Sequence, residues 1–443
     1  MRRASLLAGT ASALAAAVTG AVTPSAVAAP RSRPSGDATA PAAGAHWVHT
    51  WSATPQLTEP HNMPPAPFTG TGRVLADTTL RQTVRVSVGG RRLRLRFSNA
   101  FGGTNLPITG VSVARPADGR AGVSAVVPGS ARPVTFGGRP GIDVPKGAQA
   151  VTDPLDFAVR PGENLTVTLH LAEGQASTDI TSHPGSRTTS YLLAGDHLTA
   201  GELPGATAVD HWYFLSGVEV RAGRRTSTTV VLGDSLTDGR GSTTNGNDRW
   251  PDQLFERLRS GAGDDSVAVV NEAAGGNRVL RDGLGPNALA RLDRDVLSKS
   301  GADRLVVFHG VNDIGTAGTS EESARRITAE LTEAYRQIVV RAHAQGIAVY
   351  GATLTPFGGN GYDDPAGGHE SARQAVNRWI RTGGVFDAVI DFDEAVRDPR
   401  APRRLLPAYD TGDHLHLNPA GYRALAEAVP LGLFRRPAAV SGL

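Results

Sequence analysis

The chain has no cysteine, and only Lys146 and Lys299 are lysines. The absence of cysteine excludes disulfides, thiol catalysis and thiolate metal sites, so stability has to come from burial of a core. The scarcity of lysine indicates the coding bias of a GC-rich genome more than a basic binding surface. With 45 Lys and Arg residues against 42 Asp and Glu residues, the formal net charge is only +3. A balance this close to neutral argues against nucleic acid or an anionic membrane as the main partner.

The 443 residues are enough for two or three domains. Residues 1–28 have the layout of a secretory signal peptide. Arg2-Arg3 precede an apolar stretch over residues 6–22, and Ala26-Val27-Ala28 supplies a small-residue cleavage site. A membrane anchor is the alternative, but glycine, serine and threonine dilute the stretch. We therefore expect a secreted, extracellular protein with no membrane span after signal removal. Export through the general or the twin-arginine route stays open.

Composition and periodicity divide the rest of the chain into three regions. Residues 29–45 are rich in Ala, Pro, Ser and Gly, which predicts a flexible leader. Residues 46–224 show short strand patterns between Gly and Pro turns, without a helical period of useful length. This pattern predicts an all-β domain of the sandwich or jelly-roll type. Its clearest hairpin would pair Val84–Val88 with Leu93–Phe97 across Gly89-Gly90, because two glycines suit a primed turn.

The period changes in residues 225–436, where strand patterns alternate with helical ones. We expect strands at Thr229–Leu232, Val267–Asn271, Leu305–His309, Ala348–Thr353 and Ala388–Phe392. We expect helices at Pro251–Arg259, Ala288–Leu297, Ser320–Gln345, His369–Arg381 and Pro419–Val429. This alternation predicts an α/β domain with a parallel sheet and helices on both of its faces.

A Gly233-Asp234-Ser235 turn follows the first of these strands. At the carboxyl edge of a parallel sheet, Ser235 can expose its hydroxyl as a nucleophile and its N–H as an oxyanion donor. A surface turn is the alternative, because Gly, Asp and Ser are common turn residues. Three further segments also lie at expected strand ends or before the last helix: Asn271–Arg278, Gly310–Asp313 and Asp413–Pro419.

Together these segments contain every group that acyl transfer requires. His416 can take the proton of Ser235, and Asp413, three residues earlier, can accept the imidazole Nδ1–H and fix the tautomer. The backbone N–H groups of Ser235 and Gly276 and the side-chain amide of Asn312 are candidate donors to an oxyanion. Each segment alone could be a turn or a loop contact. Their conjunction, with a different role for each, favours catalysis.

Two other chemistries use residues of the same region. Asp413, His414 and His416 could belong to a metal site, but no sufficient set of further ligands is evident. A glycosidase would need two carboxylates facing each other across a cleft, for which Asp391 and Asp393 are the candidates.

The four segments resemble the sequence blocks of the SGNH (GDSL) hydrolases, which are esterases on a flavodoxin-like three-layer fold. Ser235 matches the nucleophile of block I, Gly276 the glycine of block II and Asn312 the asparagine of block III. Asp413 and His416 match the Asp-x-x-His of block V. The resemblance covers residues 227–433 and implies a serine esterase that needs no metal or cofactor.

Upstream, Trp47–Ala53 and the adjoining β region resemble the secreted two-domain subgroup that includes xylan-cluster arylesterases. The hypothesis is a secreted esterase that hydrolyses carboxylic esters through an acyl-enzyme, with acetylated polysaccharide as a candidate substrate. The alternatives are a lipid acyl hydrolase and a non-catalytic carbohydrate-binding protein on a decayed hydrolase fold. The complete set of predicted site residues speaks against decay.

Overall fold

The computed structural model describes residues 44–262 and 266–435. The predicted signal peptide and all but the last two residues of the predicted leader lie outside the described residues. Within the described ranges, no helix combines the length and apolar character needed to cross a bilayer.

The part of the chain from residue 46 to 222 consists of strands in antiparallel sheets. In chain order the strands are β1 (His46–Ser52), β2 (Gln56–Leu57), β3 (Thr69–Gly70), β4 (Arg73–Val74), β5 (Thr78–Arg85), β6 (Gly90–Ser98), β7 (Leu106–Ile108), β8 (Gly110–Ala114), β9 (Arg132–Val134), β10 (Ile142–Val144), β11 (Gln149–Val151), β12 (Leu155–Val159), β13 (Asn164–Leu171), β14 (Thr181–His183), β15 (Ser190–Ala194), β16 (Thr207–Val209), β17 (Trp212–Tyr213) and β18 (Leu215–Ala222). Short 3₁₀ turns lie at Pro60–Asn62 and Ala117–Gly119.

Two of these sheets are large. One has the order β1-β18-β6-β11, with β12 also paired to β6, and the other has the order β16-β15-β5-β13-β8-β9. Apolar side chains of both, such as Leu95 of β6 and Val167 of β13, belong to one buried cluster. The predicted strand-rich region is thus confirmed, whereas its sandwich or jelly-roll topology stays a prediction.

The predicted hairpin across Gly89 and Gly90 is wrong. β5 pairs with β13 and β15, and β6 pairs with β11, β12 and β18 of the other sheet. A primed turn needs positive φ angles, which neither glycine has. The Ser87 N–H instead donates to the Thr50 carbonyl at 2.8 Å. The segment between β5 and β6 therefore passes from one sheet to the other.

The part from residue 227 to 434 is an α/β unit. Its elements are β19 (Ser227–Gly233), α1 (Ser235–Asp238), α2 (Trp250–Ala262), β20 (Val267–Ala273), α3 (Ala288–Leu292), β21 (Ala302–Phe308), α4 (Val311–Gly315), α5 (Glu321–His343), β22 (Ala348–Ala352), α6 (Gly368–Thr382), β23 (Ala388–Ile390), α7 (Phe392–Val396), β24 (Arg397–Asp398), β25 (Ala401–Leu405) and α8 (Pro419–Ala428). A π-helical turn at Asp293–Leu297 continues α3, and a 3₁₀ turn lies at Leu431–Phe434.

Five of its strands form a parallel sheet in the order β20-β19-β21-β22-β23. This confirms the predicted parallel sheet, and the order is the one found in flavodoxin-like sheets. Every residue of β19 is buried, as expected for a central strand rich in β-branched residues. After β19 the chain first forms β20 on one side of it and then crosses to form β21 on the other side. The carboxyl end of β19 is therefore the switch point where such sheets bind ligands.

The two parts share buried contacts. Ala268 of β20 belongs to the hydrophobic cluster of the strand-rich part. Glu272, at the other end of β20, is fully buried and accepts a hydrogen bond from Thr54 at 3.1 Å. The ammonium of Lys299 lies 2.5 Å from the same carboxylate. Polar and apolar groups of the α/β part thus complete the interior of the strand-rich part.

Candidate active site

Ser235 lies directly beyond the carboxyl end of β19, as the first residue of α1. Asp234 caps this short helix, because its side chain accepts a hydrogen bond from the Leu236 N–H at 3.1 Å. Gly233 is needed at the turn, since a Cβ there would lie only 2.9 Å from the Phe308 carbonyl oxygen. The Ser235 Oγ lies 2.8 Å from His416 Nε2. The serine hydroxyl is thus in hydrogen-bond contact with a base.

The loop before α8 holds His416 through Asp413. The Oδ1 atom of Asp413 accepts hydrogen bonds from the N–H groups of Leu415 and His416, and its Oδ2 lies 2.6 Å from His416 Nδ1. Since a carboxylate can only accept, Nδ1 carries the proton. The Nε2 lone pair then faces the Ser235 hydroxyl. Ser235, His416 and Asp413 form one hydrogen-bonded line.

The charges of this line suit proton transfer near neutral pH. Burial lowers the pKa of His416 and outweighs the opposing effect of Asp413, so the imidazole is neutral and able to accept a proton. Burial acts to raise the pKa of Asp413, but the hydrogen bonds from His416 and Leu415 outweigh it and hold that pKa well below its usual range. Asp413 is therefore an anion throughout the pH range in which His416 titrates.

The three candidate oxyanion donors lie at the same edge of the sheet. Gly233 pairs with Ala273 on one side and Phe308 on the other, which brings the segments beyond these residues together. At the first position of α1, the Ser235 N–H has no intrahelical acceptor. Gly276 has φ +68°, a conformation that favours glycine. The Asn312 amide donates to the Asn277 carbonyl at 2.9 Å, which ties α4 to the loop of Gly276.

Two contacts at the site involve residues that the sequence did not single out. The Tyr362 hydroxyl lies 2.9 Å from Asn312 Oδ1. His183 of β14 lies 2.9 Å from the carboxylate of Asp238, at the end of α1. No motif marks Tyr362 or His183, because both reach the site through the tertiary fold.

The candidate residues for a metal site and for a glycosidase have other partners in the structure. His414 pairs with Asp410 at 2.6 Å rather than facing His416. Among the residues that the structure describes, no group of three or more His, Asp or Glu side chains is arranged to hold a metal ion. Asp391 pairs with Arg381, and the buried Asp393 pairs with several arginines. Both carboxylates of the glycosidase alternative are therefore engaged in ion pairs with arginines.

Part of the chain matches a family model built from known proteins. Residues 231–424 match the family model described as GDSL-like lipase/acylhydrolase. No curated protein sequence matches the chain significantly.

Among solved structures, the chain is similar to a catalytic mutant of an acetylxylan esterase from Geobacillus stearothermophilus (21% identity, TM-score 0.34, 46% of this chain and 91% of that one). It is also similar to the acetyl xylan esterase AlAXEase (21%, 0.34, 45% and 96%). A third is an alpha/beta hydrolase from the metagenome of Lake Arreo, Spain (20%, 0.34, 46% and 92%).

Proposed function

We propose that the chain, whose residues 231–424 belong to the GDSL-like lipase/acylhydrolase family of ester hydrolases, cleaves carboxylic esters through a covalent acyl-enzyme on Ser235. The observation that carries the proposal is the hydrogen-bonded line from Ser235 through His416 to Asp413, with contacts of 2.8 and 2.6 Å. A nucleophile, a neutral base and an anion that orients the base are the groups required for acyl transfer.

In the first half-reaction, the Ser235 Oγ attacks the ester carbonyl carbon while its proton passes to His416 Nε2. The resulting oxyanion accepts hydrogen bonds from the N–H groups of Ser235 and Gly276 and from the Asn312 amide. Collapse of the tetrahedral intermediate breaks the bond to the alcohol oxygen, and His416 gives its proton to the leaving alcohol. Asp413 keeps the imidazole oriented and stabilises its charged form.

In the second half-reaction, water attacks the acyl-enzyme, and His416 takes the proton of the water. The second tetrahedral intermediate uses the same oxyanion donors. Its collapse releases the carboxylic acid, and the proton on His416 returns to the Ser235 oxygen. The cycle needs no metal and no cofactor.

For the substrate we propose an ester of a polymer outside the cell, such as acetylated polysaccharide. The support is the predicted signal peptide and the resemblance of Trp47–Ala53 and the adjoining β region to secreted xylan-cluster arylesterases. A panel of acetylated xylan, nitrophenyl esters of rising chain length and phospholipid separates this substrate class from the lipid alternative. Release of acetate from xylan favours the proposal, and preference for long acyl chains or phospholipid contradicts it.

The mechanism is tested by Ser235→Ala on nitrophenyl acetate. We expect hydrolysis to fall to the background of a site without its nucleophile, with an unchanged unfolding transition. The matched control is Ser112→Ala, which removes a buried hydroxyl that bonds the Leu198 carbonyl in the strand-rich part. This control should keep wild-type turnover. Wild-type turnover in Ser235→Ala would refute the acyl-enzyme.

A further inference from the structure

The orientation of the Asn312 amide is fixed by its neighbours. Its Nδ2 donates to the Asn277 carbonyl oxygen at 2.9 Å, and a carbonyl can only accept. Its Oδ1 therefore points to the other side, where the Tyr362 hydroxyl lies 2.9 Å away and has to be the donor. One hydrogen of Nδ2 is engaged with Asn277, which leaves the second for an oxyanion. A reversed amide would present its oxygen to both the Asn277 carbonyl and the oxyanion.

Tyr362 reaches Asn312 because α4 ends in a glycine. A Cβ at Gly315 would lie 2.2 Å from the Tyr362 ring, so the ring packs directly against the backbone of the helix that carries Asn312. The Phe357 ring meets the Tyr362 ring edge-on, with centroids 6.4 Å apart. Burial also raises the pKa of the Tyr362 phenol, which keeps the hydroxyl a donor across the working pH range.

The segment around Tyr362 also holds the loop that carries Asp413. The Tyr362 N–H donates to Asn360 Oδ1 at 2.9 Å, and Asn360 Nδ2 donates to the Asp413 carbonyl oxygen at 2.7 Å. On its other side, the Tyr362 carbonyl lies 2.7 Å from a ring nitrogen of His369 on α6. The backbone of Tyr362 is thus held from both sides, which fixes the position of its hydroxyl.

We propose that Tyr362 is a positioning residue for the reaction: its hydroxyl holds the Asn312 amide with the Nδ2 group turned toward the oxyanion. The inference rests on the proposed function, because it needs Asn312 to be an oxyanion donor. Tyr362 itself touches neither the nucleophile nor the base. It acts through Asn312: the Asn277 carbonyl selects the amide orientation, and the Tyr362 hydroxyl adds a second hydrogen bond that holds the amide in that orientation.

The test is Tyr362→Phe, which removes only the hydroxyl. We expect kcat for nitrophenyl acetate to fall about tenfold, less than the 100- to 1,000-fold typical of deleting an oxyanion donor, because the amide is still present but is held by the Asn277 carbonyl alone. KM should stay the same, since the contact matters in the transition state. The matched control is Tyr350→Phe, which removes the hydroxyl that donates to the Leu433 carbonyl at 2.9 Å from a buried tyrosine. This control should leave kcat unchanged.

A double-mutant cycle with Asn312→Ala separates positioning from general loosening of the fold. Once the amide is gone, the hydroxyl has nothing to orient, so Tyr362→Phe should lower kcat no further in that background. The acid limb of the pH profile should stay in place, because His416 and Asp413 are not altered.

Three results overturn the proposal: wild-type kcat in Tyr362→Phe, the same loss with and without Asn312, or a displaced acid limb. Failure of the proposed function looks different. It would appear as wild-type turnover in Ser235→Ala, whatever Tyr362→Phe does.

Discussion

Replacing Lys299 by methionine tests how the buried charges between the two parts are compensated. The Lys299 ammonium lies 2.5 Å from Glu272, and the glutamate side chain has no solvent exposure. Methionine fills most of the same space without the charge, so the carboxylate of Glu272 loses its cation while the site stays dry. Breaking a buried pair on one side costs about 3–5 kcal/mol, which is a large share of the ~5–15 kcal/mol that stabilises a typical protein.

The pH dependence of this loss has a definite sign. Burial raises the pKa of Glu272, and Lys299 limits that rise, so removing the ammonium raises the pKa further. A carboxyl with a folded-state pKa above its unfolded value binds a proton more readily when folded. The loss of stability is therefore largest above the folded-state pKa and shrinks as the pH falls through it, by at most about 1.4 kcal/mol per pH unit. The pKa of His49, which burial and then the charge of Lys299 lower, shifts in the same direction.

Urea unfolding followed by tryptophan fluorescence between pH 5 and pH 8 measures the loss of stability in Lys299→Met and its dependence on pH. The matched control is Lys146→Met, which changes the only other lysine, an exposed one in the strand-rich part. We expect this control to change the unfolding free energy by less than about 0.5 kcal/mol at every pH. Equal stability of the two variants at pH 8, or a loss in Lys299→Met that grows on acidification, would show that Lys299 does not compensate the buried charge of Glu272.

Further predictions concern the site itself. Because burial lowers the pKa of His416, the acid limb of kcat/KM should lie below the ordinary histidine value of 6.5; a limb at or above it would contradict the neutral base. Asp413→Asn should lower kcat by about 10³- to 10⁴-fold through loss of the productive tautomer. Asp410→Asn in the same loop should leave kcat nearly unchanged, and equal losses would argue for a merely structural loop. Gly276→Ala strains a backbone with φ +68° by about 1–2 kcal/mol. It should therefore lower kcat more than Gly275→Ala, because the φ angle of Gly275 is not positive. Steady-state kinetics on both variants checks this.

The elements of the α/β part could be predicted from the sequence because their periods are long and regular. β19 and β20 are runs of apolar residues that end in polar turns, and α5 carries an apolar stripe over several turns. The short helices α1 and α4 were not predicted, because a single turn has no period. Yet these turns carry Ser235 and Asn312, so the roles predicted for these residues rest on their place after strands rather than on their own local structure.

What the sequence could not provide lies between distant segments. The pairing of β5 and β6 was mispredicted because two adjacent glycines favour a hairpin locally, whereas burial in two different sheets decides the path. Tyr362 gives no local signal, since its role depends on a ring packed over Gly315 and on an amide 50 residues away. The pairing of His183 with Asp238 likewise links separate parts of the chain.

The strand-rich part and the α/β part share buried contacts, which affects whether either part can be produced or moved without the other. Ala268 completes the hydrophobic cluster of the strand-rich part, and Thr54 of that part bonds the buried Glu272. A fragment ending near Ala222 would lack part of its own core, and a fragment beginning near Ser227 would expose Ala268 and lose the Thr54 hydroxyl that bonds Glu272. The strand-rich part is therefore joined to the α/β part by buried contacts, unlike a binding module on a tether. We expect a transplanted strand-rich part to fold well only beside a strand that matches β20.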